Sequence, residues 1–411
     1  MTTTQDELAA VFRRESGRAV ATLVRMLGDI DAAEEAVQDA FVRALEHWPR
    51  DGIPPSPAAW IVATAKNRAI DVVRRESTRE ERYRRRAVLT GDDGTQADPA
   101  SAVAERLDES VADDQLRLIF TCCHPALGME ARVALTLRLI AGLETRDIAR
   151  AFLVPEATMA QRLTRAKRKI ATARIPYRVP PSEELPARLE AVLAVLYLVF
   201  NEGYSGTTDA TRPDLAREAT RLTRELHRLL PEEPEASGLL ALMLLTESRR
   251  PARFDGDGHV VLLESQDRSR WDAGLIEEGQ AVVLDCLRRG RPGPYQVQAA
   301  IAAVHSDATR FEDTDWRQIL TLYDQLFALH PTAVVELNRA VALAEVRGPG
   351  AALAVVDGLP LERYHLWHAT RANLLNRLGR TADARAAYAT AAEFTENPAE
   401  RAFLLERAER G

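Results

Sequence analysis

Cysteine is scarce: the chain of 411 residues holds three, with Cys122 and Cys123 adjacent and Cys286 alone. That excludes a disulfide framework and fits a reducing compartment. No apolar run approaches the length a bilayer demands, so no membrane contact is expected. The stretch Met1-Thr2-Thr3-Thr4-Gln5-Asp6-Glu7 lacks the basic and apolar regions of a secretory leader, which makes the cytoplasm the expected location. Phosphate-binding loops and dinucleotide fingerprints are also missing, and Asn201-Glu202-Gly203-Tyr204-Ser205-Gly206 lacks the spacing of a nucleophile elbow. Cys122-Cys123-His124 cannot converge on one ion, because consecutive helical residues point about 100° apart; core packing is the expectation. Asp255-Gly256-Asp257-Gly258 opens like a calcium loop, but Gln266 stands where the closing glutamate belongs. No catalysis, cofactor or metal is therefore expected.

What is present is ordinary soluble composition, 46% apolar and 28% charged. The chain is rich in Ala, Leu and Arg, and apolar residues recur three and four apart almost throughout. That periodicity predicts an all-α fold. The net charge of −7 hides an asymmetry. Residues 1–178 hold 28 basic and 26 acidic side chains, and the remainder holds 26 basic and 35 acidic. Basic residues concentrate further: nine against four acidic from Lys66 to Arg86, and seven against none from Gln161 to Ser182. Such clusters suit a polyanionic partner.

Breaker-rich connectors divide the chain. A Gly/Asp-rich stretch around Gly91-Asp92-Asp93-Gly94 separates a block over 6–86 from one over 108–175, with 87–107 as linker. A second linker over 176–184 contains Pro176, Pro180 and Pro181, and a long helical part fills 185–411. Within that part, His365 to Pro398 has the pattern of a two-helix repeat, with Ala372 and Leu375 before the Gly379-Arg380 turn and Ala384, Tyr388 and Ala391 after it. A second unit runs from Tyr323 through His330-Pro331 to Leu359-Pro360, whereas 185–320 registers poorly.

In the first block, Asp31 to Leu45 forms an amphipathic helix that Asp31 can cap. Ala33, Val37, Ala40, Phe41 and Ala44 make the inward stripe, leaving Glu34, Glu35, Gln38 and Asp39 outside. After a proline-rich turn, Ser56 and Pro57 open a second helix. Trp60, Ala63, Ile70 and Val73 lie along one side of it. Lys66, Asn67, Arg68, Arg74 and Arg75 supply cations for phosphates and an amide for a base edge.

Residues 142–170 have the pattern of a helix-turn-helix. Ile148, Ala149 and Phe152 pack the first helix, Val154 plugs the turn, and Pro155 and Glu156 open a second helix held by Met159, Leu163 and Ala166. Outward lie Glu156, Thr158, Gln161, Arg162 and Arg165, able to enter a major groove, and Lys167, Arg168 and Lys169, suited to phosphates. Alone, this pattern also fits a helix-turn-helix regulator whose repeat domain senses a ligand or peptide. Glu202, Tyr204 and Asp267 are the only polar residues on which an enzymatic reading of the C-terminal half could rest.

The two helices of the first block, in this order, together with the helix-turn-helix, resemble the second and fourth regions of extracytoplasmic-function (ECF) sigma factors of the sigma-70 family. The resemblance implies two small helical sigma domains followed by a helical extension similar to tetratricopeptide repeats. It implies that Glu35, Gln38 and Asp39 grip the clamp coiled coil on the largest subunit of core RNA polymerase, that Lys66, Asn67, Arg68, Arg74 and Arg75 engage the −10 element, and that the second module reads the −35 element of promoter DNA. The pattern departs at Leu153, often glycine in the family, and at Ala160, commonly basic. Phe200-Asn201-Glu202-Gly203-Tyr204 and Asp267-Arg268-Ser269-Arg270-Trp271-Asp272 resemble the extension of a subgroup whose members lack a conventional anti-sigma partner. This implies that the extension, through a protein partner or an intramolecular contact, regulates activity.

Overall fold

A computed structural model of the chain describes residues 5–57, 59–67, 104–152, 154–205, 212–256, 259–395 and 397–410. Helices dominate, and among the described residues the sole extended pairing is an isolated bridge between Phe254 and Val260. The chain divides into two compact units, Met1–Leu196 and Tyr197–Gly411.

The first unit opens with α1 (Gln5–Leu27) and α2 (Ile30–Asp51). Asp29, two residues ahead of the expected cap, starts α2: its backbone is extended and its carboxylate accepts from the Ala32 amide at 2.9 Å. Gly52, with φ of 83°, ends it. Helix α3, described over residues 57 and 59–67, follows the proline turn, and the Trp60 amide bonds the Ser56 carbonyl at 3.2 Å. Its buried face is Ile61 and Ala65, with Trp60 half-buried, whereas Ala63 is exposed. Over the described residues the stripe is thus rotated, and Ile70 and Val73 lie outside them. Edge-to-face pairs, Phe12 with Phe41 at 4.4 Å and Trp48 with Trp60 at 5.3 Å, tie α1 and α3 onto α2.

Helix α4 (Ala104–Cys122), α5 (Met129–Leu135), a π-helical turn (Thr136–Ile140), α6 (Thr145–Ala151) and α7 (Glu156–Thr172) complete the unit, with α8 (Leu185–Ser205) leading out of it. α1 lies against both α4 and the π turn. The approach is close enough that a β-carbon on Gly17 would stand 2.3 Å from the Ile140 carbonyl oxygen. Polar groups fasten the seam. Asp114, buried on α4, takes Arg25 of α1 at 2.8 Å and its neighbour Arg117 at 3.3 Å. Burial raises the Asp114 carboxyl above its usual range, and the Arg25 bond opposes that rise. The Tyr177 hydroxyl sits 2.6 Å from the Ala21 carbonyl and 3.0 Å from that of Asp114. Thr121 donates to the Pro176 carbonyl at 3.3 Å. The proline-rich stretch therefore begins docked on the unit. Cys122 and Cys123 are buried free thiols, and burial raises Cys123 to about 11, which makes both packing residues.

In the second unit α9 (Arg212–Leu229) turns Leu215, Ala219, Leu222 and Leu226 inward, towards α10 (Pro234–Glu247). α10 starts with Pro234 and is buried on every side, every residue from Ala236 to Leu245 included. It packs between α11 (Ala273–Arg289), capped by Asp272 at 3.0 Å, and α12 (Pro294–Asp307). A β-carbon on Gly238 would meet the Gln296 amide nitrogen of α12 at 2.6 Å. The core passes along the chain from there. Val297, Ile301 and Val304 of α12 meet Ile319 and Leu326 of α13 (Trp316–Leu329) and Val335 and Leu343 of α14 (Ala333–Arg347). Leu337 and Ala340 then join α15 (Pro349–Asp357), α16 (His365–Arg377), α17 (Thr381–Phe394) and α18 (Pro398–Arg410) through Val356, Leu375, Tyr388 and Leu404. From α13 onward each helix packs chiefly on its neighbours in sequence, whereas α12 lies most closely on α10. Gly379, with φ of 75°, turns α16 into α17, and Ala372, Leu375, Ala384, Tyr388 and Ala391 face each other across the pair.

The two close approaches predict that Gly17→Ala and Gly238→Ala each cost about 1–3 kcal/mol by overpacking, in the first and second unit respectively, as hydrogen exchange resolved by peptide would measure. His305 gives a second expectation. Burial, reinforced by the charges of Arg249 and Arg268, pulls its pKa down to about 3. An unfolded histidine takes its proton near about 6.5. Between those values the unfolded state binds more protons, so stability of the second unit falls as pH drops through this window. His305→Gln should flatten that dependence of the urea midpoint between pH about 7 and about 4.5.

Candidate functional site

α2 buries Ala33, Ala36, Val37, Ala40, Phe41, Ala44 and Trp48. The opposite face carries Glu35 and Gln38, both exposed, and Asp39, half-buried. Gln38 donates to Glu34 at 3.3 Å. Glu34 itself does not join that outer face. Its carboxylate accepts from Arg138 of the π turn at 2.5 Å and from Lys167 of α7 at 3.1 Å, with side chains only 13–15% exposed. Lys167 also pairs with Asp31, and Arg138 holds the Leu143 carbonyl at 3.0 Å. Burial alone would depress the Lys167 ammonium, yet Asp31 and Glu34 hold it above its usual value. It stays charged.

Lys66 and Asn67, the last described residues of α3, are exposed. Arg68, Arg74 and Arg75 lie outside the described residues, as does Leu153.

α6 and α7 make the helix-turn-helix. Gly142, with φ of 71°, lets the Leu143 amide reach back to the Leu137 carbonyl at 3.0 Å, which closes the π turn. The Val154 amide bonds the Ala149 carbonyl at 3.0 Å, and Pro155 sets the entry to α7. Ile148 and Ala149 are buried beneath it, as are Met159, Leu163, Ala166 and Ile170 of α7. The outer side presents Glu156, Gln161, Arg165, Arg168 and Lys169, all exposed. Thr158 and Arg162 are half-buried, and Arg162 pairs with Glu130 of α5 at 2.9 Å. Glu156 stands in the first turn of α7, where the helix dipole favours a carboxylate.

Of the proposed contact residues, the structure gathers Glu156, Gln161, Arg165, Arg168 and Lys169 on one helix and sets Lys167 apart, against α2. Arg138 escaped the sequence reading altogether. Its partner Glu34 lies 104 residues away and that of Lys167 lies 133 residues away, beyond any local periodicity. Among the described residues no group of His, Cys, Asp and Glu could hold a metal ion, and no helix is long and apolar enough to cross a membrane.

Three family models match the chain: Sigma-70 region 2 over residues 11–79, Sigma-70, region 4 over residues 117–170, and a family of unknown function (DUF6596) over residues 188–287. An uncharacterised protein of Rhizobium meliloti (strain 1021) is 47% identical over 403 residues, covering 97% of this chain and 94% of that protein. The probable ECF RNA polymerase sigma factor SigI of Mycobacterium tuberculosis is 31% identical over 214 residues, 50% of this chain and 71% of its own length. The ECF RNA polymerase sigma factor SigK of Mycobacterium bovis is 28% identical over 170 residues, 40% of this chain and 84% of its own.

Removing the carboxylate of Glu34 leaves two partly buried cations facing each other. Glu34→Ala should therefore cost about 2–3 kcal/mol, read as faster hydrogen exchange in both α2 and α7; loss of protection in α2 alone would contradict the shared role.

Proposed function

This chain belongs to the ECF RNA polymerase sigma factors, which direct core polymerase to promoters, and from that premise we propose how its residues divide the work. The exposed face of α2, with Glu35, Gln38 and Asp39, docks on the clamp coiled coil of the largest polymerase subunit. Lys66 and Asn67, continued by Arg68, Arg74 and Arg75, engage the −10 element, where cations hold the backbone and an amide reads an exposed base. α7 enters the major groove at the −35 element with Glu156, Thr158, Gln161, Arg162 and Arg165. Lys167, Arg168 and Lys169 hold phosphates. All of this is binding work, and it needs no catalytic group.

The observation that supports the reading most directly is the division of α7 into a buried face of Met159, Leu163, Ala166 and Ile170 and an exposed face bearing Gln161, Arg165, Arg168 and Lys169. Lys167 adds a coupling. For it to reach a phosphate it exchanges Asp31 and Glu34 for DNA, so α7 leaves α2 when the promoter is engaged. Polymerase docking beside Glu34 and promoter binding by α7 then favour the same separated state. The C-terminal helical unit, acidic in sum, regulates this activity.

Run-off transcription with purified core polymerase on a genomic promoter library tests the assignment. Full-length protein or a truncation to residues 1–196 gives promoter-dependent product; none from either would overturn it. Asp39→Arg should lower core binding at least about tenfold, and Arg165→Ala should cost about 1–3 kcal/mol of promoter affinity, with relaxed selectivity at one −35 position. Equal activity of the truncated and full-length chains would remove the regulatory role of the C-terminal unit.

A further inference from the structure

In the second unit, four buried nitrogens collect where α10 ends and α12 ends. Arg249 follows α10; its Nε meets no acceptor, and no carboxylate pairs with its guanidinium, among the described residues. Its guanidinium carbon lies 6.0 Å from the centre of the Trp271 ring, and that of Arg268 lies 4.9 Å from the same ring. Arg268 donates to the carbonyls of His305 at 2.7 Å and Ala308 at 2.6 Å and to Thr314 Oγ1 at 3.2 Å, all neutral acceptors, and its Nε is also unpartnered. Trp271 is 6% exposed, and its Nε1 and the Nδ1 of His305 lack partners too. The neighbouring arginines are satisfied differently: Arg250 holds Glu247, and Arg253 donates to the Tyr204 carbonyl.

The arginine and indole nitrogens can only donate, and a neutral imidazole with its proton on Nδ1 donates as well. Buried donors without acceptors are unfavourable unless something accepts from them. The surrounding side chains are aromatic: Trp316 stands edge-on to His305 at 5.3 Å and to Phe311 at 5.5 Å. A planar guanidinium fork matches a carboxylate, and the rings suit a flat apolar body.

We propose that Arg249, Arg268, Trp271 and His305 form a binding site for a small organic carboxylate in the C-terminal unit. Burial and the two arginine charges hold His305 neutral, which leaves the positive charge on the guanidiniums. The site does not depend on the unit regulating transcription, and its test does not read transcription.

The test follows thermal unfolding of the full chain against benzoate, inorganic phosphate and chloride at constant ionic strength. Benzoate should raise the unfolding temperature of the second unit saturably. Arg249→Met, folded by circular dichroism, should weaken the benzoate response at least about tenfold, because the bidentate partner is gone. Arg288→Met, which removes an exposed arginine of α11, should keep it. Arg249→Lys retains the charge without the fork and serves if the methionine variant does not fold; it too should lose about tenfold. No saturable response to either benzoate or phosphate, or a benzoate response that both Arg249 variants retain in full, overturns the site. A response to phosphate without one to benzoate overturns its assignment to carboxylates.

Discussion

Gly17 has no β-carbon, and the first unit is built around that vacancy. It lets α1 settle on the Ile140 carbonyl, which a methyl group would meet at 2.3 Å. With α1 at that depth, Arg25 reaches the buried Asp114 and the Tyr177 hydroxyl reaches the Ala21 carbonyl. The same approach brings the π turn, with Arg138, beside α2. Lengthening it would break polar contacts that were formed at the cost of desolvation, and a buried charge with one partner withdrawn is far less favourable than a pair in water. The seam is thus fastened by groups that lose together.

A second contact in this unit joins α2 to the π turn and to α7, through Glu34, Arg138 and Lys167, and it carries the coupling proposed above. Glu34 lies one residue from Glu35 on α2, and Lys167 lies two residues from Arg165 on α7. Under the proposed assignment, the Glu34–Lys167 pair ties the face of α2 that docks on polymerase to the helix that reads DNA. Because both pairs are largely shielded, salt weakens them less than it weakens exposed phosphate contacts. The affinity for DNA and the closure of the unit therefore respond to ionic strength with different steepness.

Much of this was legible in the sequence, where short-range periodicity carries the information. The inward stripe of α2 and the packing residues of both helices in the helix-turn-helix follow from residues three and four apart, and they are buried except for Phe152, which is half-buried. The pair around Gly379 followed from small residues on facing helices. Other features were hidden for physical reasons. Asp29 and Asp31 are both competent caps, and only backbone conformation selects between them. Glu34 read as solvated because its partners come from distant sequence. On α3 the visible part of the stripe shifts to Ile61 and Ala65, since Trp60 bridges to Trp48 from the side. Residues 185–320 registered poorly because α10 is buried all round, and such a helix has no polar face to mark its phase.

α10 has a consequence for the order in which the protein can be made. It emerges from the ribosome before α11 and α12, the two helices that cover most of it. Until they follow, α9 and Tyr197 of α8 are what the earlier chain can lay on a helix whose residues from Leu239 to Leu245 are all apolar. The nascent chain thus carries an exposed adhesive segment at a stage when the sigma domains are already synthesised. The roughly sixty residues that follow α10 are what complete its burial, so slowing their translation with synonymous codons would lengthen the time this segment stays uncovered without changing a residue.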